Sequence, residues 1–129
     1  MQISFTVYGE PTPKGRPKFA RMNNFVRAYT PKNTIVAERG FLEQALAHKP
    51  PKPLEGALVV SLRFYKAKPK SYPKRIVHWA KKPDIDNIIK LVLDALNKIF
   101  WNDDAQIVEL HARKDFDAVP RTEVEIWEV

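Results

Sequence analysis

Apolar and polar residues alternate in several stretches of the chain, which predicts strands. In residues 2–7, Ile3, Phe5 and Val7 alternate with polar residues, which predicts a half-buried strand. In residues 57–64 the alternating positions Leu58, Val60, Leu62 and Phe64 predict a second strand that is buried on one face or on both. Two further strands are predicted near residues 105–113 and 122–129, joined by a loop that contains Pro120. We therefore expect four strands, two of them adjacent in sequence.

Two other stretches have helical spacing. Thr30 and Pro31 predict an N-cap followed by proline at the first helical position, with a helix over about 31–48. A second helix is predicted from Ile85 to about Phe100. The first helix should offer Ile35, Leu42, Ala45 and Leu46 to a core, and the second Ile88, Ile89, Val92, Ala95, Leu96 and Ile99. The order β-α-β-α-β-β predicts a single α+β domain, residues 1–129, with two helices packed on a mixed sheet.

Two basic segments interrupt this pattern. Residues 9–30 are rich in glycine, proline and basic side chains, and Asn23-Asn24 suits the turn of a basic hairpin. Residues 66–82 carry seven Lys/Arg and no acid, which predicts an exposed, mobile loop. Within that loop, Tyr72 and Trp79 either stack on bases or, in one case, close the core.

Composition narrows the class of protein. An apolar fraction of 44% in 129 residues is enough for a core without covalent cross-links. The absence of cysteine excludes disulfides, zinc–thiolate sites and thiol catalysis. No apolar run approaches the ~20 residues that a membrane helix needs, and no signal-peptide pattern is present at the N-terminus. We therefore expect a soluble cytoplasmic protein with no membrane partner.

The net charge of +7 is unevenly distributed along the chain. Residues 1–82 hold 17 Lys/Arg against 4 Asp/Glu, whereas residues 83–129 hold 5 against 11. The basic part suits a polyanion, but the acidic part would repel one unless cations intervene. Basic surface beside clustered carboxylates is what a metal-dependent nuclease requires.

Three aspartates are the candidate metal ligands. Asp84 and Asp86 are two residues apart at the start of the second helix, and Asp104 follows that helix. Carboxylates without a neighbouring histidine or cysteine suit Mg²⁺, with Mn²⁺ as a substitute, better than zinc. Asp104 can return to Asp84 only if the next strand folds back along the helix or pairs with the strand before it.

Each of these residues also has a simpler interpretation. Asp84 and Asp86 could only cap the helix, and Lys90 could only form an i,i+4 pair. Asp94 is expected to be a partner of Lys90 rather than a metal ligand. Asp103 is interpreted as a turn residue or a second-shell group, and Asn87 as either a second-shell partner of a carboxylate or a first-turn residue. The three histidines show no ligand spacing.

The run DIDNIIKLVLDALNKIFWNDDAQ, residues 84–106, resembles the signature of the RusA family of Holliday junction resolvases. The early stretch PKGRPKF, residues 13–19, is similar to a segment of phage and Gram-positive members. The resemblance implies that Asp84, Asp86 and Asp104 bind metal and that Lys90 is catalytic. Pro83 departs from members that carry another basic residue at this position.

The resemblance further implies a Mg²⁺-dependent endonuclease that cuts four-way DNA junctions as a homodimer in recombination and repair. It also suggests a bacterial, prophage or phage origin. A non-catalytic nucleic-acid-binding protein and a flap or branched-DNA nuclease remain alternatives. The residues expected to contact DNA are Lys14, Arg16, Lys18, Arg21, Lys70, Lys74, Arg75, Lys81 and Lys82.

Overall fold

The computed structural model describes residues 1–129 and contains a four-stranded sheet, a separate hairpin and two α-helices. Short 3-10 helices follow the first helix and precede the fifth strand. The strands are β1 (Gln2–Tyr8), β2 (Lys18–Met22), β3 (Phe25–Tyr29), β4 (Leu58–Lys66), β5 (Ile107–Phe116) and β6 (Arg121–Glu128). The helices are α1 (Lys32–Ala45) and α2 (Ile85–Leu96), and the 3-10 helices are Leu46–His48 and Asp104–Gln106.

The four-stranded sheet has the order β1-β6-β4-β5. β6 is antiparallel to both of its neighbours, whereas β4 and β5 are parallel, with Leu58 opposite Ile107 and Lys66 opposite Phe116. The predicted α+β class with a mixed sheet is confirmed. Because β4 and β5 are parallel, both strands begin at the same end of the sheet, and α2 lies in the connection that returns the chain to that end.

The hydrophobic core lies between one face of the sheet and the two helices. Phe5, Val60, Leu62 and Phe64 come from predicted inward positions and are buried. α2 contributes the stripe Ile88, Leu91, Val92, Ala95 and Leu96. That helix ends at Leu96 rather than near Phe100, and Phe100 and Trp101 enter the core from the segment that follows it.

The predicted inner face of α1 was partly wrong. Ala45 is buried as expected, but Ile35 and Leu46 are 44% and 40% exposed, and Thr34 and Phe41 are buried instead. The helix is preceded by Pro31 as its N-cap, and no side chain caps it, so Thr30 does not have the predicted role. Positions 34, 41 and 45 share one helical face, and that face turns toward the core.

The two basic segments have different structures. The predicted hairpin is confirmed as β2–β3, and its turn contains Asn23 with a φ of 54°. Residues 67–84 form no regular element, but they are not wholly exposed as predicted. Trp79 is 4% exposed and stacks on Phe116 of β5, and Tyr72 meets the same ring edge-on. Trp79 therefore closes the core rather than being free to stack on bases.

Neither helix has the length and apolar character that crossing a membrane requires.

Candidate active site

Asp84 and Asp86 stand together where α2 begins. Asp84 precedes the helix with extended backbone dihedrals (φ −67°, ψ 142°), and its side chain makes no capping hydrogen bond. Asp86 lies in the first helical turn, is exposed, and takes part in none of the ion pairs of the chain. Asp84 thus occupies the N-cap position of α2 without a capping hydrogen bond from its side chain, and both carboxylates are accessible to a ligand.

Asp84 borders two open polar clefts. One, of about 440 Å³, lies between residues 11–16 and the residues around the start of α2, including Lys82 and Asn87. The other, of about 600 Å³, is lined by the segment before α2 and by Lys114 of β5. Residues 11–17, which we call the strap, thus form one wall of the site. The exposed ammonium of Lys82 lies 3.3 Å from an oxygen of Asp84.

Lys114 fixes the backbone that leads to Asp84. Its ammonium donates hydrogen bonds to the carbonyl oxygens of Lys81 and Pro83, at 2.9 and 2.8 Å, and lies 4.6 Å from the centre of the Trp79 ring. Burial lowers the pKa of Lys114 below its ordinary value, and the charge of Asp84 opposes that shift. Sequence reasoning missed this residue because alternation along β5 does not show which cation faces the site.

Asp104 has a different environment. It begins a 3-10 helix that Asp103 caps, with the Asp103 carboxylate accepting from the Ala105 N–H at 2.9 Å. The Asp103 N–H in turn donates to Oε1 of Gln106 at 2.8 Å, which completes a capping box. Asp103 is therefore a turn residue. One oxygen of Asp104 accepts from the indole N–H of the buried Trp101 at 2.7 Å.

Asp104 and Asp84 lie at opposite ends of β5. Asp104 stands just before Ile107, whereas Asp84 is next to Lys114, seven residues further along the strand, or roughly 23 Å at 3.3 Å per residue. The strand does pair with β4 as a return would require, but it brings Lys114 to Asp84 rather than Asp104. No three acidic or histidine side chains in the chain are close enough together to hold one metal ion.

Three residues of α2 were expected to support the site, and each makes only some of the expected contacts: Lys90, Asp94 and Asn87. Lys90 is 64% exposed and makes no i,i+4 ion pair with Asp86, and its ammonium lies 3.9 Å from its expected partner Asp94, which is a weak contact. Asp94 makes its closer contact with Lys14, at 2.9 Å. Asn87 lines the cleft beside Asp84, and its backbone oxygen accepts from the Lys14 N–H.

The residues expected to bind DNA fall into three groups. Arg16 and Lys14 both lie on the strap and line the cleft, but the partly buried ammonium of Lys14 is paired with Glu38 and Asp94. Lys18 and Arg21 are exposed on the hairpin. Five more are exposed on the segment before α2, where Lys81 also lies 4.9 Å from the centre of the Tyr72 ring. These five are Lys70, Lys74, Arg75, Lys81 and Lys82.

A small α+β domain in which an accessible carboxylate borders clefts between basic segments, with a second exposed carboxylate two residues away, has the features of a nuclease. A family model described as "Endodeoxyribonuclease RusA" matches residues 8–127. The chain belongs to the RusA endodeoxyribonuclease family, which confirms the resemblance seen in residues 84–106.

Two relatives were compared along most of their lengths. An uncharacterized protein of Bacillus subtilis (strain 168), YqaN, is 34% identical over 98% of this chain and 96% of its own length. A crossover junction endodeoxyribonuclease rusA of Lactococcus phage r1t is 37% identical over 67% of each chain.

Proposed function

We propose that this chain is a metal-dependent endonuclease that resolves four-way DNA junctions in recombination and repair. The observation that carries the proposal is that Asp84 borders a cleft between basic segments and that a second exposed carboxylate, Asp86, lies two residues further along, in the first turn of α2. Membership of an endodeoxyribonuclease family supports cleavage of DNA. The name of the phage relative, a crossover junction endodeoxyribonuclease, supports the junction as substrate. The bacterial and phage relatives support a similar origin for this chain.

The residues present fit Mg²⁺ or Mn²⁺ at Asp84 and Asp86. Magnesium is usually held by one or two carboxylates together with water and substrate phosphate oxygens. Such an ion, when bound, would activate water for hydrolysis and neutralise charge on the phosphodiester. A third ligand from Asp104 is not within reach in the same chain.

The remaining side chains of the site have roles that follow from their positions. Asp84 and Asp86 would hold the cation, and the exposed ammonium of Lys90 lies one helical turn beyond Asp86. There it stabilises the negative charge that develops when water attacks phosphorus and the P–O bond to the leaving oxygen breaks. Lys82 and Arg16 line the cleft and attract the phosphate backbone.

We propose in addition that a second copy supplies Asp104. The predicted ligand set is divided between the two ends of β5, so one chain cannot assemble it. A two-fold dimer that sets Asp104 of one copy against Asp84 and Asp86 of the other would form two equivalent sites. Two such sites would suit a junction that must be cut twice.

The experiment that tests the function compares cleavage of a labelled four-way junction, a flap and a linear duplex of the same sequence. We expect paired cuts in the junction with Mg²⁺ or Mn²⁺, much weaker cleavage of the other substrates, and no product with excess EDTA. Undiminished cleavage in EDTA would contradict the metal requirement.

The same experiment separates the alternatives. Preferred cutting of the flap would indicate a flap or branched-DNA nuclease. Tight junction binding with no product in either metal would indicate a non-catalytic nucleic-acid-binding protein.

A further inference from the structure

The strap is fastened to both helices at Lys14. The backbone N–H of Lys14 donates to the carbonyl oxygen of Asn87 on α2 at 2.8 Å. Its ammonium contacts the carboxylate of Asp94 on α2 at 2.9 Å and also contacts Glu38 on α1. One residue thus connects the strap both to α2, whose first turn carries Asp86 and Asn87, and to α1.

Gly15, the next residue of the strap, makes a close contact with α1 that requires glycine. The Gly15 N–H donates to Oγ1 of Thr34 at 2.9 Å, and Thr34 is 1% exposed on α1. A Cβ atom at position 15 would lie 2.6 Å from that hydroxyl oxygen. The strap therefore comes this close to α1 only because position 15 has no side chain.

The ammonium of Lys14 is already paired with protein carboxylates, so it has little capacity left to bind a DNA phosphate. Its side chain is 21% exposed, and two carboxylates already neutralise its charge. Burial by itself lowers its pKa, but the hydrogen bonds to Glu38 and Asp94 outweigh that effect and hold the pKa above its ordinary value. A phosphate would have to compete with both acids for the same ammonium.

Arg16, two residues further along, has the opposite environment. It is exposed, takes part in none of the ion pairs of the chain, and lines the cleft together with Asp84 and Asn87. Its planar guanidinium suits two parallel hydrogen bonds to a phosphate.

We propose that Lys14 is a positioning residue that fixes the strap so that Arg16 contacts the phosphate of DNA bound at Asp84 and Asp86. The inference rests on the proposed function, because it assigns the substrate contact of that site. It replaces the expectation that Lys14 itself contacts DNA.

A double-mutant cycle on junction binding tests the proposal in EDTA, where no cleavage is needed. Arg16→Ala should flatten the slope of log K against log salt by about 0.9. Lys14→Met should flatten the slope by no more than that. The double variant should also flatten it by about 0.9, because both substitutions remove the same contact, the one between Arg16 and the phosphate. If Lys14 also binds phosphate directly, the double variant loses two contacts and the slope flattens by about 1.8.

A second experiment measures cleavage by the Glu38→Gln variant. The two possible roles of Lys14 predict changes of opposite sign in its cleavage rate. If Lys14 binds DNA, removing a competing acid should strengthen binding and speed cleavage. If Lys14 positions the strap, cleavage should fall by about 10- to 100-fold, as small misplacements at a reacting centre do. Glu43→Gln, the same charge change on an exposed residue of α1, is the matched control and should behave like the unmodified chain. Should Lys14→Met fail to melt cooperatively, Glu38→Gln takes its place in the cycle with Arg16→Ala.

The outcomes separate this inference from the proposed function. Additive losses of slope, or faster cleavage by Glu38→Gln, overturn the positioning role even if the chain resolves junctions. A non-additive cycle in a chain that binds junctions without cutting them supports the role of Lys14 and contradicts the proposed enzyme. A chain that neither binds nor cuts branched DNA overturns both.

Discussion

At the scale of single residues, the three aspartates of the predicted site differ in how their oxygens are used. Asp104 is anchored to the indole of Trp101, whereas the only ion pair of Asp84 is with the exposed Lys82, and Asp86 has no ion-pair partner. The pair before and within the first turn of α2 is therefore free to bind a cation, and Asp86 has the fewest interactions to lose.

Asp86→Asn should separate binding from chemistry. The substitution keeps the shape but removes a negative ligand, so cleavage should fall by at least about 100-fold, a loss of several kcal/mol of charge stabilisation. Junction affinity in EDTA should stay equal or rise, because one repulsive charge near the phosphates is gone. Rates and binding isotherms measure both effects, with Glu43→Gln as the control for the charge change. Loss of binding together with activity, or loss of folding, would mean that Asp86 is structural.

Lys114→Met should weaken the site through the backbone. The change leaves the carbonyl oxygens of Lys81 and Pro83 without their donor, which costs about 1 kcal/mol at this partly solvated position. It should also lower the apparent Mg²⁺ affinity of cleavage, because the segment before Asp84 is less firmly held. Thermal melting and a Mg²⁺ titration measure the two effects. Lys49→Met, at an exposed position outside the site, should change neither, and equal effects of the two variants would contradict the role of Lys114.

At the scale of elements, the strand and helix patterns predicted most of the fold. The four strands of the sheet and α2 were found with boundary shifts of a few residues, because alternation and helical spacing are local properties of the sequence. The face of α1 was less predictable. Ile35 and Leu46 are apolar, but the helix turns Thr34 and Phe41 inward, and that rotation is decided by packing against β1 and α2.

The metal site, like the face of α1, could be predicted from the sequence only in part. The D-x-D pair at the start of α2 could be located from local sequence, and the Asp103–Gln106 spacing is itself a capping-box signal. The position of Asp104 relative to Asp84 depends on the parallel pairing of β4 and β5, a tertiary feature. The engagement of Lys14 by Glu38, 24 residues away, could not be predicted from sequence for the same reason.

The hairpin β2–β3 packs chiefly on itself and exposes Phe19, Phe25, Val26 and Tyr29 beside its cations. Lys18→Ala with Arg21→Ala should weaken binding to all DNA sequences alike and flatten the salt slope by up to about 1.8. The melting temperature should not change, because the hairpin is outside the core. Lys49→Ala with Lys52→Ala removes the same charge from an exposed site before β4 and serves as the control. Equal slopes for the two double variants would mean that the hairpin is only solvated surface.

At the scale of the whole molecule, the fold brings basic segments from the first part of the sequence next to acidic residues from the second part. The strap and the segment before α2, both from the basic first part, flank the acidic residues at the start of the helix. The phosphate backbone is attracted by the first and repelled by the second, so a cation at Asp84 and Asp86 would reconcile the two. Asp104 remains at the other end of β5, and under the proposed function a second copy would bring it to this site.

Mixing two inactive variants tests the shared site directly. In a dimer of one Asp84→Asn copy and one Asp104→Asn copy, the first chain retains Asp104 and the second retains Asp84 and Asp86, so one intact site forms between them. Random pairing should restore about a quarter of the unmodified sites, since half of the dimers are mixed and each holds one. Those dimers should nick one strand without completing resolution, which denaturing and native gels of the same reaction distinguish. Asp84→Asn mixed with Asp86→Asn is the matched control: both losses fall on the same half of the site, so no intact site can form. If differently tagged Asp84→Asn and Asp104→Asn copies co-purify as dimers but stay inactive, Asp104 does not join the site of its partner.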